Sequence, residues 1–267
     1  MKGIVIAAGI CSRLRPITNN LPKCMLKIGD KSIMENILQV FENNDVDDIA
    51  IVRGYAKEKI NFPDITYYEN TAYTDNNILH SLMFARKHLE KAEKENEDIV
   101  ISYSDILYED WVIKKLINSK KTIAAIVDTD WQEYYEGRTD HPIEEAENVI
   151  TDTNNKMLKI GKHIFTNNTP KNKQGEFIGL WKFTPEGIRI FLKHFDRLNS
   201  ILKMIDTYQN TNEWQKSYIT DIFQEMIDKG EEIHSVLIQK GWKEFDTVQD
   251  FKKIGGEIPS DIGGVDE

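Results

Sequence analysis

Residues 1–30 read MKGIVIAAGICSRLRPITNNLPKCMLKIGD. An apolar run ends there in a small-residue turn, and Arg13, Arg15 and Lys23 follow closely. In an open parallel sheet, ligands bind outside the carboxyl ends of the strands, where a short glycine-containing turn lets backbone N–H groups approach an anion. IVIAAG followed by a loop fits that geometry, and Ala7, Ala8 and Gly9 are the backbone groups placed to meet such a ligand. Pro16 and Pro22 fix backbone φ and stiffen the excursion, which holds Arg13 and Lys23 in place before binding. The loop has neither the three-glycine spacing of a dinucleotide site nor the GK[ST] ending of a P-loop, so both fingerprints are excluded.

Working outward, strand-like runs recur at GIVIAAG, DDIAIVRGY, DIVISYSD and TIAAIVD. Helix-length amphipathic segments, SIMENILQVFENN and NILHSLMFARKHLEKAEKE, lie between them. This alternation predicts an α/β fold, a doubly wound, mostly parallel (mixed) sheet flanked by helices. The second segment reads as one helix capped by Asn76 or Asn77. Beyond about residue 140 the pieces shorten, HPIEEAENVITDTNNKMLKIGKHI and GEFIGLWKFT among them, and read as a small β-hairpin excursion added to the sheet. EGIRIFLKHFDRL and YITDIFQEMIDKG read as helices, the second ended by Gly230, and IHSVLIQKGWKEFDTVQDFKKI as a strand, a turn and a closing helix. We expect residues 1–267 to form a single domain with a frayed tail over about 256–267.

The chain has 267 residues, 40% hydrophobic and 29% charged, which excludes a disordered chain, and no apolar run approaches the roughly 20 residues that span a bilayer. Two cysteines, Cys11 and Cys24, make neither a disulfide framework nor a zinc site, which fits a reducing, cytoplasmic setting. A net charge of -10 argues against binding a nucleic acid polymer, whereas a mononucleotide needs only one basic cluster.

AAGICSRLRPITNNLPKCMLKI resembles the signature of the nucleotidyltransferases that make nucleoside-diphosphate sugars and alcohols. YYENTAYTDNNILHSL, SYSDILYED, GKHI, GEFIGLWKF, YITDIFQEMIDKG and GWKEFDTVQDF follow in the order seen in the phosphocholine and phosphonate cytidylyltransferase branch. The resemblance spans nearly the whole chain and implies a Rossmann-like fold. It departs at Cys11, where the family usually has a glycine. If that position needs positive φ, cysteine carries strain of roughly 1 kcal/mol.

What the resemblance implies is transfer of CMP from CTP to a small phosphorylated or phosphonate acceptor, with pyrophosphate leaving. The attacking oxygen is already anionic, so charge neutralisation and positioning matter more than a general base. By resemblance Arg13 and Lys23 hold the triphosphate, and Asn76, Asn77 and Ser81 face the base and ribose. Magnesium is the implied cofactor, and hard oxygens suit it. Asp105 follows a strand and Asp246 lies in WKEFDT, positions that alone do not tell a ligand from a solvated acid; the resemblance implies these two as the ligands, with Glu244, on the same side of an extended segment as Asp246, a third participant. None of the six histidines sits in an acid/base motif, so each reads as a surface or packing residue, and Asp110 and Asp250 read as surface residues or helix caps.

For the acceptor, Lys162 reads either as a second cation aimed at its phosphate or as a hairpin surface lysine. Trp131, Asp221 and Glu176 are the acceptor residues that the branch implies, while Tyr134, Tyr135 and Trp181 read as packing. Phosphocholine and 2-aminoethylphosphonate are the lead acceptors, with a phosphorylated amide as a third class. The alternatives are a sugar or polyol 1-phosphate nucleotidyltransferase and a nucleotide-binding domain without turnover.

Overall fold

The computed structural model describes residues 1–209 and 211–253, so the expected tail at 256–267 lies outside the described residues. Among the described residues, nine strands form one mixed sheet: β1 (Lys2–Ala7), β2 (Asp48–Arg53), β3 (Thr66–Glu69), β4 (Ile99–Tyr103), β5 (Ile123–Asp128), β6 (Asn148–Thr151), β7 (Met157–Gly161), β8 (Gln174–Phe183) and β9 (His234–Ile238). Along one path the order is β7-β6-β8-β4-β1-β2-β3. β1 lies parallel between β2 and β4, with Ile4 opposite Ala50 and Ile101. This is the parallel core that the alternating pattern predicts. All six residues of β1 are buried, which is what helices on both faces require.

The period-two geometry of β1 divides the interior. Ile4 and Ile6 face a core shared with α2 (Ile78–Met83), α3 (Arg86–Glu95), α5 (Pro185–Ile201) and α6 (Ile219–Asp228). Val5 and Ala7 face the other core, with α1 (Ile33–Glu42), α4 (Asp110–Ile117) and α7 (Val248–Lys253). α1 starts where its sequence says it must: Ser32 Oγ accepts the Glu35 N–H, and Glu35 reaches back to the Ser32 N–H.

Two expectations need correction. The segment after Asn77 is two helices rather than one, because Phe84 and Ala85 donate their N–H groups to Ser81 and Leu82 in tighter, three-residue bonds. Leu82, Ala85 and Leu89 stay buried in one core across the break, so apolar periodicity carries no sign of it. The stretch GEFIGLWKFT is also no addition to the sheet: β8 is inserted antiparallel between β4 and β5, with Trp181 opposite Ile101 and Ala125. β8 can leave β6 and join β4 because Gly179 sits at φ 81°, and a Cβ there would lie 2.3 Å from the Tyr103 ring. No helix among the described residues is long and apolar enough to cross a membrane.

Candidate active site

A cleft of about 370 Å³ opens beyond the carboxyl end of β1, where Ile6, Cys11, Ser12, Arg13 and Lys23 line it. The loop that carries these residues is anchored from below by buried Leu14, Ile17 and Cys24. Cys11 takes the left-handed conformation, φ 52° and ψ 57°, and the Thr18 hydroxyl donates to its carbonyl at 3.0 Å. The glycine that the resemblance expects would sit there without strain. Burial pushes the Cys11 thiol up to about 11. The loop therefore exposes half of Arg13 and buries Lys23.

Two remote segments complete the wall. Ile106–Tyr108 and Trp242–Glu244 pair as a short antiparallel ribbon with Glu244 opposite Ile106, and the Phe245 N–H donates to the Asp105 carbonyl. Phe245 is fully buried, so its neighbours Glu244 and Asp246 both line the cleft, the alternation expected of an extended segment. The ribbon brings Asp105 beside Asp246, and Lys23 lies between them: its Nζ is 3.0 Å from Asp105 and hydrogen bonded to Asp246. Burial alone would discharge the ammonium, but the two carboxylates outweigh it and raise the Lys23 pKa. Burial likewise pushes Asp246 up, yet Lys23 and His141 hold it well below the usual carboxylate range. Glu244 has less compensation, and burial with Asp246 and Asp105 nearby pushes it well up.

Three further residues support the site, and of these the sequence reading reaches only the cap at Asp250. His141 lines the cleft with Nδ1 2.9 Å from Asp246, which corrects the expectation that it is a surface or packing residue. Arg138 lies 3.4 Å from Glu244 and 2.8 Å from Asp250. Asp250 is 5% exposed, so it is not a surface residue. It does serve as a cap: Oδ2 accepts the Asp246 and Thr247 N–H groups at 3.1 and 3.0 Å, and its own N–H donates to the Thr247 hydroxyl. The spacing Thr247-x-x-Asp250 is a legible capping signal, whereas its ion pair with Arg138 is not.

The donor set suits a hard cation. Asp105 Oδ1 is buried with no hydrogen-bond partner among the described residues, and Asp246 is held ionised beside it. His141, Glu244 and Asp246 each offer a ligand atom within 4.8 Å of the others. Oxygen ligands from the carboxylates are the ones magnesium favours.

Also lining the cleft, Lys162 Nζ pairs with Glu145 at 2.7 Å and lies 5.2 Å from the centre of the Tyr218 ring. Glu147 stands beside them; its carboxylate accepts from the Thr220 hydroxyl at 3.0 Å and from Tyr103 at 3.4 Å, and burial pushes it up to about 7. Deeper still, buried Glu176 accepts from the Tyr135 hydroxyl, and burial pushes it up to about 8.

Arg13, Lys23, Asn77, Asp105, Lys162, Glu244 and Asp246 thus share one cleft. Other expected residues sit apart from its lining. Ala7 and Ala8 are buried at the end of β1, and Gly9 is exposed beyond it. Asn76 and buried Ser81 hydrogen bond to Asn70, while Asn77 caps α2 by accepting the Ile78 N–H. Trp131 packs between Tyr135 and Phe165. Asp221 accepts the Tyr218 N–H at the start of α6.

Comparison with known proteins bears on the family and the fold. Residues 2–136 match the family described as nucleotidyl transferase. The chain is 30% identical to CTP:phosphoglutamine cytidylyltransferase of Campylobacter jejuni over 94% of this chain and 98% of that protein. It is 33% identical to choline-phosphate cytidylyltransferase of Streptococcus pneumoniae over 33% of this chain and 41% of that one. The solved structure of CTP:phosphocholine cytidylyltransferase from Streptococcus pneumoniae superposes with a TM-score of 0.70 at 19% identity, covering 95% of this chain and 96% of that chain.

Proposed function

The chain belongs to the nucleotidyl transferase family, and within it we propose a magnesium-dependent cytidylyltransferase that joins CMP from CTP to a small phosphorylated or phosphonate acceptor and releases pyrophosphate. The observation that carries this reading is the buried Lys23 ammonium set between Asp105 and Asp246 beneath the exposed Arg13. A triphosphate entering over the loop meets Arg13 first and then offers Lys23 anionic oxygens in place of the carboxylates. Lys23 stabilises charge that builds on the α-phosphate and the leaving pyrophosphate, and a fixed cation in a partly dry site does this with little reorganisation. Magnesium, held by Asp105 and Asp246 with Glu244 beside them, would neutralise phosphate charge as a Lewis acid.

The acceptor oxygen is an anion at neutral pH, so the chain's task is to aim it in line. Lys162, which lines the same cleft, is the cation proposed to do so. Asn77 lines the nucleotide side, and its amide suits the mixed donors and acceptors of a pyrimidine edge. Identity to the phosphoglutamine enzyme over nearly its whole length supports a phosphorylated amide beside the amine-bearing acceptors. The packing of Trp131 against Tyr135 and Phe165 weakens the reading of it as a choline-binding face.

The test is pyrophosphate release from CTP or UTP with phosphoglutamine, 2-aminoethylphosphonate, phosphocholine and glucose 1-phosphate, with and without magnesium. We expect release with CTP and an amine- or amide-bearing acceptor only when magnesium is present. Release with glucose 1-phosphate alone would move the assignment to sugar phosphates, and release without a divalent ion would remove the metal.

A further inference from the structure

Beneath the acceptor end, the cleft continues into a recess of about 30 Å³ bordered by Glu147, Glu176, Tyr103 and Tyr135. Glu147 and Tyr103 line both spaces, so the two are continuous. Glu176 is 4% exposed, and while one oxygen takes the Tyr135 hydroxyl, its Oε2 is buried with no hydrogen-bond partner among the described residues. Neither Glu147 nor Glu176 forms an ion pair among the described side chains. Glu145 and Glu244 also line the recess but pair with Lys162 and Arg138, whereas Glu147 and Glu176 have no such partner and are costly to ionise, and a bound positive charge would relieve that cost.

The cleft is therefore bipolar, with Arg13 and Lys162 offering positive charge toward the phosphates and Glu147 and Glu176 offering carboxyl oxygens below. We infer that the acceptor is zwitterionic and carries a primary ammonium, which enters the recess and donates to Glu147 and to the open oxygen of Glu176 while its phosphate or phosphonate faces Lys162. The inference rests on the cytidylyl-transfer reading and narrows its substrate class. Size and chemistry both favour a primary ammonium. The recess has room for a water-sized group. A trimethylammonium group is much larger, has no N–H to donate and needs aromatic faces around it. Aromatic residues do border the recess, Tyr103, Tyr135, Phe177 and Trp242, but a space of about 30 Å³ does not admit three methyl groups, so size and the N–H donors carry the distinction. A sugar hydroxyl is neutral and supplies no charge to hold either carboxyl group ionised.

Phosphoethanolamine and phosphocholine differ only in the methyls on nitrogen, so the experiment is calorimetric binding of each to the chain loaded with a non-hydrolysable CTP analogue. We expect phosphoethanolamine to bind about tenfold tighter or more, the worth of one charge-assisted hydrogen bond. Glu147→Gln and Glu176→Gln are each expected to erase most of that preference while leaving affinity for the CTP analogue unchanged, a pattern that loss of structure would not produce. Equal or tighter binding of phosphocholine overturns the inference, as does an undiminished preference in both variants or no binding of either acceptor. Pyrophosphate release separates this from the parent reading. Turnover with phosphocholine or glucose 1-phosphate but without the ammonium preference upholds transfer and overturns the recess. Selective binding of phosphoethanolamine with no pyrophosphate from any acceptor upholds the recess and removes transfer.

Discussion

Lys23 and Asp246, 223 positions apart in the chain, meet as a hydrogen-bonded ion pair with the lysine side chain 4% exposed. Asp105 closes the other side of the ammonium at 3.0 Å. Lys23→Gln keeps a polar side chain but removes the charge from between Asp105 and Asp246. We expect turnover to fall by about 10²–10³-fold, the usual consequence of losing one fixed transition-state donor. Pyrophosphate release, with circular dichroism to confirm the fold, checks it; near-normal turnover would remove Lys23 from the site.

The same ammonium occupies the space between two carboxylates suited to a metal. In the nucleotide-free chain, Lys23→Gln is therefore expected to bind a divalent ion more tightly than the wild type, because the competing cation is gone. Titration with Mn²⁺ followed by electron paramagnetic resonance measures this directly. Unchanged or weaker binding would mean that the ion sits elsewhere.

Cys11 lies at φ 52°, where a β-branched side chain is a strained outlier. Cys11→Val is expected to cost about 1–2 kcal/mol, a fall of several degrees in thermal midpoint. Cys11→Gly relieves the left-handed strain but frees the unfolded chain by a comparable amount, so its midpoint should stay close to that of the wild type. A Val variant as stable as the wild type would show that the loop relaxes out of this conformation.

Glu176 and Glu147 titrate at about 8 and about 7 because burial penalises their charge. The folded chain then holds protons that the unfolded chain releases above about 4.5, so stability falls as pH rises from about 5 toward 8. The thermal midpoint should drop across that window, and Glu176→Gln, which cannot ionise, should flatten the slope. An equal slope in the variant would place the titration elsewhere.

Asp250 ties α7 to the site through the Asp246 N–H and through Arg138, whose side chain is 6% exposed. Asp250→Ala leaves that guanidinium with less compensation and is expected to cost about 3 kcal/mol. Adding Arg138→Met should recover part of the loss, since the uncompensated charge goes with it. Denaturant unfolding of the single and double variants measures the coupling, and simple additivity would contradict it.

The parallel core was legible because it is written in local quantities. The unbroken apolar run of β1 marks a strand covered on both faces, and Ser32 and Glu35 mark a helix start. Asp105 and Asp246 could be named as ligands only through the resemblance, for spacing alone does not tell a ligand from a solvated acid. What only the tertiary structure decided are the pairings that chain distance hides. The ribbon that sets Asp246 beside Asp105, the approach of His141 to Asp246, the insertion of β8 into the sheet and the recess under Glu147 all depend on packing between remote segments. Periodicity and capping act over a few residues and determine which elements form. Which buried charges face one another follows from how those elements close a common interior, where each must find a partner or shift its proton.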